Sequence, residues 1–221
     1  MRVPATVARA PALPSRHAAR LLKRGLDVLG AGLLLLILAP VLLLVLGAVC
    51  LDGGPALYRH RRVGLAGRRF GCMKFRTMMP AADELLAQHL ATNPAAAKDW
   101  DTRRKLTNDP RVTPIGAVLR ATSLDELPQL VNVLVGDMSL VGPRPVVAEE
   151  LHRHYGVVGK AAYLAARPGI TGLWQVSGRS DTSYRERVAL DIRYATDWSL
   201  LLDVQILLRT IPAVLARRGA V

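Results

Sequence analysis

A chain of 221 residues can hold one domain with a real core, or one domain plus an appendage. Its formal net charge of +13 calls for an anionic partner, but with aromatic residues at only 5% and no helix-turn-helix, zinc-finger or RNA-binding signature, nucleic acid is set aside. A mean hydropathy of +0.23 in so basic a chain points instead to a membrane surface. The two cysteines, Cys50 and Cys72, have no metal-ligand spacing and read as reduced, packed residues, in keeping with a cytoplasmic setting.

Residues 1–16 mix Pro, Ala and Arg without periodicity and read as a disordered basic tail. A collar of Arg16, Arg20, Lys23 and Arg24 follows, and from Val28 to Leu51 there is no charged residue. That run is long enough to span a bilayer and too long for a cleavable signal peptide. Two topologies fit it, a full span and a re-entrant segment. Pro40 sits in the middle, where proline breaks or kinks a helix. Both flanks are basic, with Arg59, Arg61, Arg62, Arg68 and Arg69 on the far side. Positive residues are retained in the cytoplasm, so the symmetry favours a segment bent at Pro40 with both ends on that side. Residues 17–52 are accordingly read as a re-entrant membrane helix, and 53–221 as a cytoplasmic domain.

Ala56–Val63 and Arg68–Phe75 flank a Gly-Leu-Ala-Gly turn and predict a basic β-hairpin, with Lys74 and Arg76 sharing one face. Pro80 opens a helix over 81–90. Residues 91–110 are polar, Ala-rich and poorly patterned, which predicts a flexible loop. Thr113-Pro114 starts a short helix through Arg120. Then comes the stretch of most chemical interest, Thr-Ser-Leu-Asp125-Glu126-Leu-Pro-Gln-Leu. Either Ser123 and Glu126 form a capping box, or Asp125 is the cap with Pro128 inside the first turn. Both place two carboxylates at the positive end of a helix. Leu127, Leu130, Val131 and Leu134 predict its apolar face, and Gly136 its end.

Gly-Pro-Arg144-Pro then presents one guanidinium on a rigid turn, ahead of a helix over 146–155. The Gly-rich 167–179 stretch predicts a turn with a short strand, and 183–198 an amphipathic helix. The apolar 199–218 segment with its basic end predicts a helix in the headgroup plane, whose apolar surface could also support a homodimer. The whole reads as an α+β monotopic membrane protein with surface amphipathic helices and a small β-hairpin. On local pattern alone, the acidic pair is equally a phosphate site or a capped surface helix.

These pieces, in this order, resemble the bacterial sugar transferases, monotopic phosphoglycosyl transferases that begin exopolysaccharide, capsule and O-antigen assembly. The resemblance rests on Lys23-Arg24-Gly-Leu-Asp27, the Pro40-centred apolar helix, Lys74-Phe-Arg76-Thr-Met, Leu119-Arg120, TSLDELPQL, GDMSLVGPRP and RPGITGLWQVSGR. One departure is Ala39 before Pro40, where family members commonly carry serine.

The resemblance implies transfer of a sugar 1-phosphate, hexose rather than an N-acetylated bacillosamine type, from a UDP-sugar to undecaprenyl phosphate with release of UMP. It implies Asp125 as nucleophile, and Glu126 with Asp125 as the holders of Mg²⁺. Arg120, Arg144 and Arg179 would contact phosphate or nucleotide, as would Lys74 and Arg76, for which a lipid-headgroup contact is the alternative. It places the protein at the bacterial inner membrane, with its catalytic domain on the cytoplasmic face and the anionic bilayer as partner. Two other classes stay open: a glycosyltransferase that releases UDP, and a non-catalytic membrane scaffold.

Overall fold

The computed structural model describes residues 16–103, 106, 109–178 and 183–215. Of the tail predicted over 1–16, residues 1–15 lie outside those residues, as do Arg179, Arg217 and Arg218, whereas Arg16 begins a helix. The architecture is the expected mixture of helices and small sheets, organised along one long helix.

That helix, α1 (Arg16–Leu51), is 36 residues long, about 54 Å at 1.5 Å per residue. One stripe packs on the rest of the chain. Asp27, Ala31 and Val49 are buried. Ala31 and Leu35 join Phe70, Cys72, Leu130, Val133 and Met138 in one cluster. Leu42, Val45 and Val49 join Ala56, Phe75 and Leu119 in another. Positions 27, 31, 35, 42, 45 and 49 recur at the helical period, so a single face is covered. The opposite face leaves Leu29, Leu33, Leu36, Ile37, Leu43 and Leu44 exposed. Helical structure continues through Pro40, which stands inside α1. Pro40 lies on the exposed side, where its missing N–H costs one helical hydrogen bond without disturbing the packed stripe.

Both ends of α1 are tied to the head. Near its start, Lys23 Nζ donates to Asp203 Oδ2 at 2.7 Å and to the Val141 carbonyl at 3.1 Å. Asp27 accepts hydrogen bonds from Ser139 Oγ and the Leu140 N–H, both at 3.0 Å. Near its end, Arg76 donates to the carbonyls of Val49 (2.9 Å) and Gly53.

Strands β1 (Leu57–Val63) and β2 (Arg69–Phe75) form the predicted antiparallel hairpin, with Leu57 opposite Phe75 and Val63 opposite Arg69. Helix α2 (Ala82–Thr92) follows. Residues 91–110, expected to be loop, contain a further helix, α3 (Pro94–Arg103). The Asn93 side chain accepts the Ala96 N–H, Pro94 stands at the first helical position, and three alanines follow. Local propensity makes this helix without an apolar stripe, which is why hydrophobic periodicity overlooked it. Its Trp100 ring lies 5.0 Å from the Arg111 guanidinium.

Thr113 caps α4 (Pro114–Thr122) through Oγ1, which accepts the Gly116 N–H at 2.9 Å. Helix α5 (Gln129–Val135) ends at Gly136, whose φ of +94° suits glycine. Its buried residues are Gln129, Leu130, Asn132 and Val133, whereas Leu134 is exposed. The predicted face is therefore rotated, because α5 starts after Pro128 and two polar side chains point inward. Strands β3 (Ser139–Val141) and β4 (Gly169–Thr171) pair in parallel, joined through α6 (Ala148–His154) and α7 (Gly156–Leu164). Helix α8 (Tyr184–Asp197) is capped by Ser183, and α9 (Leu200–Leu215) buries Ile206 and Asp203. Neither cysteine is in a disulfide. Cys72 is buried as expected, but Cys50 is exposed on α1, off its packed stripe.

Candidate active site

The acidic pair sits in a sharp reversal between α4 and α5. Ser123 adopts a left-handed conformation, φ +58°, and its N–H returns to the carbonyls of Arg120 and Leu119 to close α4. A 3₁₀ turn, Leu124–Glu126, then leads into α5. Neither predicted capping arrangement forms, since Ser123 is spent as the C-cap of α4 and makes no side-chain cap bond. The left-handed serine is uncommon for a non-glycine residue and re-aims the chain. Asp125 is thereby turned inward, only 9% exposed, while Glu126 stays half-buried.

Lys74 reaches this turn from the last part of β2. Its Nζ lies 2.7 Å from Glu126 Oε1 and 3.6 Å from Asp125 Oδ2. The strand is held in place by Asn132 of α5, whose amide accepts the Met73 N–H at 2.8 Å and donates to the Gly71 carbonyl at 2.9 Å. Burial pushes the Asp125 carboxyl above the usual aspartate range; Lys74 pulls it back, Glu126 pushes it up further, and Arg120 pulls it down. Its ionisation therefore rests on neighbouring cations, not on a helix terminus. Arg120 is fixed by a 2.9 Å bond from Nε to Thr77 Oγ1.

A cleft beside the pair is lined by Lys74, Glu126, Gln129, Arg62, Arg144 and Gln175, among others. Arg144 arrives on the rigid turn after β3, and two glycines make that placement possible. Gly142 and Gly169 pass so close that a Cβ on Gly142 would sit 2.2 Å from the Arg167 carbonyl oxygen. The Gly142 N–H donates to Thr171 O and the Gly169 N–H to Pro143 O. The Arg144 guanidinium lies over the Trp174 ring, 5.2 Å from its centre, and Arg187 lies 5.0 Å from the same ring.

The structure thus brings together Asp125, Glu126, Lys74, Arg120 and Arg144. It does not bring Arg76, which is buried and turned to the end of α1, where it donates to four backbone carbonyls. Strand β2 ends at Phe75, so the alternation that put Lys74 and Arg76 on one face does not extend to Arg76. Sequence reasoning missed Arg62, Gln129 and Trp174 as parts of this region. For Trp174 a signal existed, in the Gly-rich segment next to Arg179. For Gln129 there was none, because a buried glutamine in an apolar stripe looks like a surface position.

A donor set of this kind suits an anion held beside a carboxylate, with cations placed for a phosphate diester. The match of residues 18–217 to the bacterial sugar transferase model decides the family. The chain belongs to the bacterial sugar transferase family. It is 54% identical over 199 residues to the exopolysaccharide production protein ExoY of Sinorhizobium fredii, covering 90% of this chain and 87% of that one. It is 45% identical to the UDP-glucose:undecaprenyl-phosphate glucose-1-phosphate transferase of Caulobacter vibrioides, over 93% and 74% of the two chains. With the undecaprenyl-phosphate galactose phosphotransferase of Salmonella typhimurium the identity is 48%, over 93% of this chain and 43% of that relative. Within this sugar transferase, the cleft draws lining residues from four of the ordered motifs: Lys74-Phe-Arg76-Thr-Met, TSLDELPQL, GDMSLVGPRP and RPGITGLWQVSGR.

A divalent cation would find two ligands here. Among the described residues no group of three or more His, Cys, Asp or Glu converges as a metal site. Two adjacent carboxylates do fit Mg²⁺, which keeps several waters and takes further oxygens from substrate phosphates. The Lys74 ammonium, in contact with both carboxylates, shows that their oxygens converge on one cationic position.

Proposed function

We propose that this enzyme transfers a hexose 1-phosphate from a UDP-sugar to undecaprenyl phosphate, as the first membrane step of exopolysaccharide, capsule or O-antigen synthesis. The observation that carries this reading is Asp125 itself, an inward-turned carboxylate in contact with the Lys74 ammonium, beside a cleft that Lys74, Glu126 and Arg144 line. The named activities of the Caulobacter and Salmonella relatives support the substrate classes.

In the first step an Asp125 carboxylate oxygen attacks the sugar-linked phosphorus. A carboxyl-phosphate bond forms, the bond to the bridging oxygen breaks, and that oxygen leaves as part of UMP. In the second, an oxygen of undecaprenyl phosphate attacks the same phosphorus and the Asp125 carboxylate departs unchanged. An ionised carboxylate needs no base for this, so Lys74 and Arg120 act by keeping Asp125 charged despite its burial. Arg144, braced by Trp174, holds the diphosphate with a planar pair of donors, a role we extend to Arg179. Asp125 and Glu126 would hold Mg²⁺, which when bound neutralises diphosphate charge and assists its leaving group.

Radiolabelled UDP-sugars with undecaprenyl phosphate should give UMP and a lipid-linked sugar phosphate. Asp125→Asn should reduce UMP release to background, at least ~10³-fold. UDP as product, or undiminished turnover in Asp125→Asn, would dismiss the nucleophile.

We also propose a one-sided membrane association at the cytoplasmic face of the bacterial inner membrane. A helix with both ends tied to the same head cannot place those ends on opposite sides of a bilayer. Its uncovered leucines are then the lipid contact, and α9, with Leu201, Leu208 and Ile211 exposed, lies beside it in the headgroup plane. Impermeant labelling of cysteines placed near residues 20 and 56 should find both cytoplasmic; one on each side would mean a full span.

A further inference from the structure

A second cavity opens beside the first turns of α1 and shares no lining residue with the catalytic cleft. Its volume is about 220 Å³. Its polar lining is dominated by Arg20, Lys23, Arg24 and Arg167, with Asp27 the only carboxylate among the lining residues and Trp198 on one wall.

The charges of this wall are not equally committed. Lys23 is neutralised within the fold, 2.7 Å from Asp203 and 3.8 Å from Asp27. Asp27 is spent on Ser139 and Leu140. Arg24 gives one N–H from each terminal nitrogen to Val133 O (2.6 Å) and Leu134 O (2.9 Å), and Arg167 gives its Nε–H to Gly136 O (2.9 Å). Those three carbonyls close the end of α5, so Arg24 and Arg167 converge on one place. Each has further N–H donors beyond those bonds, since a guanidinium carries five. Arg20 is exposed and forms no hydrogen bond or ion pair with the other described residues. Three guanidiniums therefore surround a cavity with donors left over, which is the chemistry that receives a phosphate.

The surroundings decide which phosphate. On the same turns of α1, Leu22, Leu26 and Leu29 are 51–73% exposed and lead away from the cavity along the uncovered apolar face. Leu65, Ala165, Ala166 and Ala195 line the cavity itself. Trp198 places an indole at the boundary, its Nε1–H donating to Asp203 at 3.1 Å, as interfacial tryptophans do. A free phosphate has no use for such a continuation; a headgroup with acyl chains does.

We propose that this cavity binds the phosphodiester headgroup of an anionic glycerophospholipid. Arg20, Arg24 and Arg167 take the phosphate, and the α1 leucines lie along the chains. The inference rests on the one-sided membrane association given above. It gives the protein a second phosphate site, separate from the reacting one, that sets the depth and tilt of α1 against the headgroup layer.

Trp198 supplies the readout. The full-length protein is mixed with phosphatidylcholine vesicles containing brominated phosphatidylglycerol or brominated phosphatidylcholine, with bromines near the headgroup end. The Trp198 signal is taken as the difference from Trp198→Phe. Phosphatidylglycerol should quench it selectively, and Arg20→Gln or Arg167→Gln should each lower that preference ~5-fold. Arg20→Gln removes no side-chain bond among the described residues, so its effect is not one of misfolding. Equal quenching by both lipids, or none although the protein sediments with vesicles, overturns the site. Inorganic phosphate perturbing Trp198 in detergent as strongly as the lipid overturns the lipid assignment. Failure to sediment with any vesicle would instead bring down the membrane reading on which the site depends.

Discussion

Arg76 offers the sharpest test of the structure against the motif, because the two give it different work. The motif puts it on substrate phosphate; the structure spends it on backbone carbonyls. Its guanidinium donates to Pro55 O at 2.8 Å, Met78 O at 3.1 Å and Val49 O at 2.9 Å, and also to Gly53 O. Val49 and Gly53 belong to the end of α1 and the turn after it, so one side chain fastens the long helix to the hairpin. Replacing it by lysine keeps the charge but not the fork. A compact ammonium cannot reach four acceptors spread around a planar group, and two carbonyls would lose their partner. Hydrogen bonds to a charged group are worth about 1.5–3 kcal/mol each, so the loss comes to about 3–6 kcal/mol, against a typical total of about 5–15. Arg76→Lys should therefore lower the denaturant midpoint, followed by circular dichroism in detergent micelles, while the folded fraction keeps its KM for the UDP-sugar within ~2-fold. Unchanged stability with a KM raised ~10-fold would show that Arg76 meets substrate and that its place in the fold is misjudged.

Gly142→Ala should cost about 1–3 kcal/mol and weaken substrate binding together, because a Cβ 2.2 Å from Arg167 O pushes β3 from β4 and carries Arg144 with it; thermal unfolding and KM measure the two halves. Asp191, buried and hydrogen-bonded by the Tyr155 hydroxyl at 2.7 Å, has its carboxyl pushed up to about 6, chiefly by burial. The folded state then holds this proton between pH 4 and 6 where the unfolded chain has lost it, so its contribution is present below pH 4 and fades as pH rises through 6. Against Asp191→Asn, the wild type should lose up to about 3 kcal/mol of relative stability across that window by denaturant titration; parallel curves would mean that Asp191 does not titrate there.

The hairpin was legible because β1 and β2 carry their own alternation around a Gly-bounded turn. The end of α5 was legible because only glycine suits the left-handed position after Val135. The acidic pair was legible as two adjacent carboxylates but not as geometry. Ser123 looks like an N-cap by its type and its spacing to Glu126, and only the fold makes it the left-handed C-cap of α4. Lys74 and Arg76 carry the same charge two residues apart. Which one faces the carboxylates depends on where β2 stops and on Asn132 gripping its edge.

The sequence by itself determined the family, the pairing of two carboxylates in the central stretch and the existence of a long apolar segment between basic flanks. Composition and ordered motifs are local properties, readable without knowing what touches what. Only the tertiary structure decided that α1 lies along the head with both ends tied down, that Arg76 belongs to the fold and that Asp125 is buried against Lys74. Each of these depends on contacts between residues far apart in the chain: Lys23 with Asp203, Val49 with Arg76, and Lys74 with Asp125. No periodicity or spacing encodes such contacts, because they form when separate elements exclude water from the same place.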